Sequence, residues 1–173
     1  QGITYNFAPL GGIYGILSNG SRVGRPTWDL HTLYDLADQR FEVTISETQL
    51  TANSKPGDEP IWYPYINKYI VPIAGSSSGL DIPILRLGDI ILLYAESLYK
   101  TGDKEGALQQ LNRIRERAFR DSNHNYSLSD ISSEEEFMDV LLLERRLELA
   151  FENQRWFDLV RTGRFITKLA QFE

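Results

Sequence analysis

The second half of the chain, from about residue 81 to the end, carries the apolar spacing of α-helices separated by short polar turns. Ala107, Leu111, Ile114 and Ala118 recur at intervals of three or four residues, which places them on one face of a helix. This pattern predicts a helix over about 104–119. We therefore expect a mostly α fold.

Turn and capping residues mark the other helices. Gly102 suits a helix C-terminus and Asp103 suits the start of the next helix, so a first helix is expected over about 85–100. Ser132 or Ser133 is expected to cap a third helix, whose first turn carries carboxylates that favour the N-terminal dipole.

Apolar residues predict what the later helices bury. The stripe expected on the third helix consists of Val140, Leu143, Leu147 and Phe151. A short fourth helix follows a break near Asn153, and its Trp156 and Phe157 are expected in the core.

The first two helices have the small-large-glycine spacing of a tetratricopeptide repeat. The positions that match are Ala95, Leu98, Gly102, Ala107, Leu111 and Ile114. A single helical hairpin of this kind cannot bury its own apolar face, so it needs neighbouring elements.

Residues 1–80 are rich in Gly, Pro, Ser and aromatic residues and show little helical period. Alternation over Phe41–Ile45 predicts a short strand. We expect one domain over 1–173, with a large aromatic loop region containing minor β structure over 1–80 and a helical region over 81–173.

Composition excludes several kinds of function. The formal net charge is −6, which gives no electrostatic case for binding nucleic acid. The chain has no Cys, and its two histidines, His31 and His124, are far apart, so neither a thiolate metal site nor a histidine-based zinc site is expected.

Three carboxylates, which we call the acidic row, repeat along one edge of the third helix. Glu144, Glu148 and Glu152 are four residues apart, and like charges at that spacing repel unless cations face them. Arg86 and Arg115 are the expected partners in a structural ion-pair network. The alternative is an acid/base pair of a carbohydrate-active hydrolase, which would need two carboxyl groups in a cleft about 5–9.5 Å apart.

Aromatic residues in the loop region are candidates for ligand contact. Trp28 lies between turn signals, and Trp62, Tyr63 and Tyr65 follow a Pro- and Gly-rich segment. Their flat apolar faces suit stacking on sugar rings. The competing interpretation is that these side chains anchor long loops to the helical core.

Three groups of motifs occur in the order of a known family. They are Asp81–Arg86 with Leu92–Glu96, Leu111–Ala118, and Glu144–Glu152 with Arg155–Arg161. Weaker similarities lie at Asp38–Phe41 and Lys68–Tyr69. In these motifs the chain resembles the C-terminal part of the SusD/RagB family, outer-membrane nutrient-binding lipoproteins of Bacteroidetes.

The resemblance implies a non-catalytic protein without a cofactor. It would bind an oligosaccharide or similar nutrient at the outward-facing surface of the outer membrane and hand it to a TonB-dependent transporter of the SusC type. We expect the chain to be part of a longer protein held to the membrane only by a lipid anchor upstream. The alternative is a tetratricopeptide-type scaffold for protein–protein interaction.

Overall fold

The computed structural model describes residues 25–49, 61–69, 81 and 83–170, without the side chains of 48, 49 and 61–63. The chain divides into two compact units, 1–83 and 84–173, which are described separately. The mostly α fold is confirmed, with a two-stranded sheet as the β structure of the described residues. None of the described helices is long and apolar enough to cross a membrane.

Over its described residues, the first unit contains two short helices followed by an antiparallel pair of strands. Helix α1 is Trp28–His31, helix α2 is Arg40–Thr44, and the strands are β1, Ile45–Gln49, and β2, Ile61–Ile66. Ile45 faces Ile66 across the sheet, and the register shifts between Ser46 and Thr48.

The strand predicted at Phe41–Ile45 is wrong, because residues 40–44 form a helical turn and the strand starts at its end. Asp38 explains the difference. Its carboxylate accepts the backbone N–H of Arg40 at 2.9 Å, and its carbonyl accepts that of Phe41 at 3.0 Å. Local capping of this kind overrides a weak alternation of side chains.

The second unit is a set of helices. Helix α3 is Leu87–Lys100, α4 is Lys104–Phe119, α5 is Glu134–Glu148, α6 is Gln154–Arg161 and α7 is Phe165–Leu169, with a 3-10 turn at Leu128–Asp130 before α5. Helix α4 has the predicted bounds, α3 begins two residues later than expected, and Ser133 caps α5 by accepting the N–H of Glu136.

The turn between α3 and α4 is made by the residues that the sequence indicated. Gly102 has a φ of 97°, a left-handed conformation that favours glycine. The N–H of Asp103 donates to the carbonyl of Leu98 at 2.9 Å, which closes α3, and the Asp103 carboxylate caps α4 through Gly106 N–H at 2.9 Å.

One apolar cluster joins α3, α4 and α5. Leu92, Ala95, Ala107 and Leu111 are fully buried, so the small residues lie where α3 and α4 pack together. Tyr99 and Phe137 stack with ring centroids 3.9 Å apart.

The buried stripe predicted on α5 is shifted. Phe137, Leu141, Glu144 and Glu148 are buried, whereas Val140 and Leu143 are only partly so. Glu144 and Glu148 therefore lie on the buried face itself and not beside it. The placement of Glu152 on the same helix is wrong, because α5 ends at Glu148 and Glu152 lies in the turn that follows. The ion pairs described below offset the burial of these carboxylates.

The core assignment of Trp156 and Phe157 is also wrong, because their side chains are 56% and 62% exposed. Helix α6 instead turns Asp158 inward, at 3% exposed. Burying this carboxylate against arginines fixes the rotation of the helix and leaves the two aromatic rings outside.

Candidate functional site

An exposed tryptophan marks the candidate site in the first unit. Trp28 begins α1, next to Thr27, whose Oγ1 accepts the N–H of Leu30 at 3.2 Å. Its side chain is 59% exposed, and its indole meets the edge of the His31 ring at a centroid distance of 5.1 Å. Trp28 therefore presents an aromatic face from a capped helical turn.

Two contacts hold His31 in place behind Trp28. Its Nε2 lies 2.7 Å from Oε1 of Glu47 on β1. Its ring packs edge to face with Phe41 at 5.2 Å, and Phe41 in turn contacts the buried Tyr34 at 5.6 Å. These contacts connect the exposed indole to α2 and β1.

A cavity of about 380 Å³ lies beside this aromatic cluster. Its described lining residues are Leu36, Asp38, Gln39, Phe41, Glu42, Ile45, Ser46 and Glu47. Phe41 and Glu47 also contact His31, so the cavity and the cluster that holds Trp28 share a wall. The lining combines the apolar side chains of Leu36, Phe41 and Ile45 with carboxylate, amide and hydroxyl groups, a mixture that can orient a polar organic ligand.

The cavity wall is fixed by a buried ion pair. Arg40 donates from Nη2 to Oδ2 of Asp38 at 2.6 Å and from Nε to Oδ1 at 2.9 Å, and both side chains are buried. A bidentate pair of this kind holds the loop before α2 in one geometry.

The structure does not bring all the predicted contact residues to this site. Tyr65 is buried, at 6% exposed, opposite Ser46 in the sheet. The side chains of Trp62 and Tyr63 lie outside the described residues. Trp28 is thus the predicted aromatic that the structure shows to be exposed, and it is linked to the cavity wall through His31.

The predicted structural residues of the second unit lie close together. Arg86 donates from Nη1 to Glu148 at 2.6 Å and from Nε to Glu152 at 2.7 Å. Burial alone would lower the pKa of the Arg86 guanidinium, but the hydrogen bonds to Glu152 and Glu148 outweigh it and raise the pKa above its ordinary value.

The other predicted arginine binds the same acidic row. Arg115 donates from Nη1 to Glu144 at 2.9 Å, and its guanidinium lies 4.4 Å from the ring centroid of Tyr126. Arg117 adds a second partner for Glu148 at 2.5 Å. The three carboxylates that could have served a hydrolase therefore each face an arginine, and the structural role of the network stays a prediction.

The structure also contains a more deeply buried ionic cluster that the sequence analysis does not predict. Arg145, at 2% exposed, donates to Asp89 at 2.7 Å and to Asp158 at 2.8 Å, which joins α3, α5 and α6. Arg161 also binds Asp158, at 2.9 Å, and reaches Glu96 at 2.7 Å.

The sequence did hold a signal for this cluster. Asp89 lies three residues before Leu92, so it falls on the apolar face of α3. A carboxylate at such a position needs a cation from another helix.

Among the described residues, no three His, Cys, Asp or Glu side chains are placed to hold a metal ion.

Comparison with known proteins decides the family. The model of the SusD family matches residues 37–172. The chain belongs to the SusD family. This confirms the resemblance drawn from the motifs.

The SusD-like relatives are much longer than this chain. Two SusD-like proteins of Formosa agariphila are 37% identical over 105 residues and 32% identical over 164 residues. The alignments cover 58% and 82% of this chain but 21% and 32% of the relatives. The chain thus spans about a third or less of their length.

Solved structures share the fold. Surface glycan-binding protein A of Bacteroides thetaiotaomicron matches with a TM-score of 0.70 at 21% identity, over 94% of this chain and 37% of that one. The same protein in complex with laminarihexaose matches with a TM-score of 0.65, also at 21% identity and with the same coverage.

Proposed function

We propose that the protein containing this chain binds an oligosaccharide or similar nutrient at the cell surface, without catalysis and without a cofactor. The observation that carries the proposal is the exposed Trp28, whose neighbour His31 contacts two residues that line a cavity with both apolar and polar groups, in a chain of the SusD family. The laminarihexaose complex of a protein with the same fold supports a saccharide as ligand.

The binding chemistry follows from the two parts of the site. An indole face offers a flat apolar surface to the C–H face of a sugar ring, and the neighbouring polar groups fix the orientation of its hydroxyls. Since His31 and Phe41 already hold the wall behind Trp28, little side-chain freedom is lost on binding.

The absence of catalysis is supported by the state of the acidic row. Glu144, Glu148 and Glu152 each bind an arginine within 3 Å. A general acid or base must lie within hydrogen-bond reach of the substrate, and carboxylates whose oxygens are held by guanidinium groups are poorly placed for that contact.

The rest of the proposal concerns the whole protein. We place it on the outward-facing surface of the outer membrane through a lipid anchor outside this chain, where it passes ligand to a SusC-type TonB-dependent transporter. Family membership supports this role. Co-purification of such a transporter with the intact protein from solubilised outer membranes tests it, and recovery of the protein without one would contradict it.

Affinity electrophoresis tests the binding function. The intact protein runs through native gels that contain single polysaccharides, and reducing sugar is assayed in parallel. The proposal predicts retardation by at least one polysaccharide with no sugar release. Release of sugar that is lost in Glu148→Gln would favour a hydrolase, and retardation by none would favour the tetratricopeptide-type scaffold.

A further inference from the structure

The wall of the candidate site carries one sign of charge. Asp38, Glu42 and Glu47 line the cavity, and none of its described lining residues is basic. Glu42 is exposed, and Glu47 is half-exposed, at 43% for its side chain, with its Oε1 2.7 Å from Nε2 of His31. Both carboxylates are therefore accessible to solvent at the cavity.

The nearby cation does not offset this charge for a ligand. Arg40 is 5% exposed, and its guanidinium binds Asp38 in a bidentate pair. Over residues 25–49 the chain carries five acidic side chains against two arginines. Arg25, the second arginine, already has an interaction of its own.

Carboxylates of this kind recognise donors. They accept hydrogen bonds from hydroxyl and ammonium groups, and they repel a carboxylate or sulfate that approaches within a few ångströms. A bound anion would also lose its hydration beside fixed negative charge, and none of the described lining residues supplies a cation to replace it. Specificity of this type is built from a repulsive element as well as an attractive one.

We propose that the Trp28 site selects glycans by charge: it takes neutral or amine-bearing saccharides and rejects those with uronic acid or sulfate groups. The inference rests on the proposed binding function and adds the ligand class. Trp28 supplies the platform, and Glu42 and Glu47 supply the selection.

A charge-matched panel tests the selection. Affinity electrophoresis compares neutral xylan and laminarin, amine-bearing chitosan, and anionic polygalacturonate and sulfated dextran, each with wild-type protein and with Trp28→Ala. The inference predicts that every polysaccharide whose retention depends on Trp28 is neutral or amine-bearing. Trp28-dependent retention of an anionic polysaccharide would overturn the charge selection and leave the binding function intact. Retention by none of the five would overturn both.

Paired substitutions locate the selection. Glu42→Gln should raise the weak affinity for a polygalacturonate oligomer by roughly threefold, the effect of removing one unit charge about 6 Å away in water. Glu105→Gln makes the same change of net charge on the exposed start of α4 and should leave the affinity unchanged. Equal effects of the two variants would assign the discrimination to net charge and contradict the inference. The ratio between the variants should shrink in 0.5 M salt, because screening shortens the reach of the charge.

Discussion

Single residues in the second unit decide how three helices lie together. Arg145 is almost fully buried and bridges two buried carboxylates, Asp89 and Asp158, from different helices. A buried ion pair adds little net stability compared with an apolar core, but removing one partner leaves the others uncompensated. The register of α3, α5 and α6 therefore depends on this guanidinium.

Replacing Arg145 by methionine should lower the free energy of unfolding by about 3–5 kcal/mol, since two carboxylates would stay buried without their cation. Chemical denaturation of the protein measures the loss. Arg113→Met is the matched control, because Arg113 is exposed on α4 and its described bond is to Gln110. A loss of the same size in both variants would contradict the role given to Arg145.

The acidic row shows what the sequence could reveal about single residues. The four-residue spacing of Glu144, Glu148 and Glu152 indicated that they need cationic partners. The positions of Arg86 and Arg115 on the first two helices made them candidates, and the structure brings both within 3 Å of these carboxylates. The spacing did not identify Arg145, which lies next to Glu144 among other charges and differs from them only in where its side chain points. Local sequence places Asp89 on the apolar face of its helix, but which arginine reaches it is set by tertiary packing.

At the level of elements, the start of α5 joins two serines to one carboxylate. Ser133 accepts the N–H of Glu136 at 3.1 Å, and Glu136 accepts the hydroxyl of Ser132 at 2.6 Å and its N–H at 2.7 Å. The hydrogen bond from the Ser132 hydroxyl is the main reason that the pKa of Glu136 lies below its ordinary value.

Ser132→Ala should therefore raise the pKa of Glu136 toward that of an ordinary glutamate. The folded pKa lies below the unfolded one, so the contribution of Glu136 to stability is present above the unfolded pKa and fades as the pH falls through the folded pKa. An NMR titration of the side-chain carboxyl measures the shift. Ser97→Ala on α3 should leave it unchanged, and an unmoved pKa in Ser132→Ala would contradict the assignment.

The first turn of α3 gives a second test at this scale. A Cβ on Gly88 would lie 2.7 Å from Nη1 of Arg86 and 2.7 Å from Oε1 of Glu148, inside the ion pair. Alanine normally stabilises a helix by about 0.5–1 kcal/mol relative to glycine. Here we expect the opposite sign, a fall in melting temperature, and a rise would show that the ion pair tolerates the methyl group.

At the scale of the whole chain, the sequence predicted the helical half better than the loop half. The bounds of α4, the Gly102 turn and the Ser133 cap follow from local patterns that repeat over many residues. The strand predicted at Phe41–Ile45 rested on an alternation of only a few residues. Capping by Asp38 instead favours a helical turn there.

The candidate site was predictable only in part. An aromatic residue between turn signals indicated Trp28, and the structure places it at the surface. A similar criterion also selected Tyr65, which pairs within the sheet and is buried. Helical period assigned Trp156 to the core, although that residue is exposed. Exposure depends on contacts between elements, so no local pattern distinguishes these three aromatics.

Two exposed tryptophans, one in each unit, allow a direct test of whether the protein binds its saccharide through the first unit. Trp28 is 59% exposed on α1 in the first unit, and Trp156 is 56% exposed on α6 in the second unit. Calorimetry should compare Trp28→Ala and Trp156→Ala with the wild-type protein, using the polysaccharide that retards it most. Trp28→Ala should weaken binding about tenfold, or ~1.4 kcal/mol, with an unchanged melting temperature. Trp156→Ala should bind as the wild-type protein does. Wild-type affinity in Trp28→Ala, or a loss confined to Trp156→Ala, would contradict binding through the first unit.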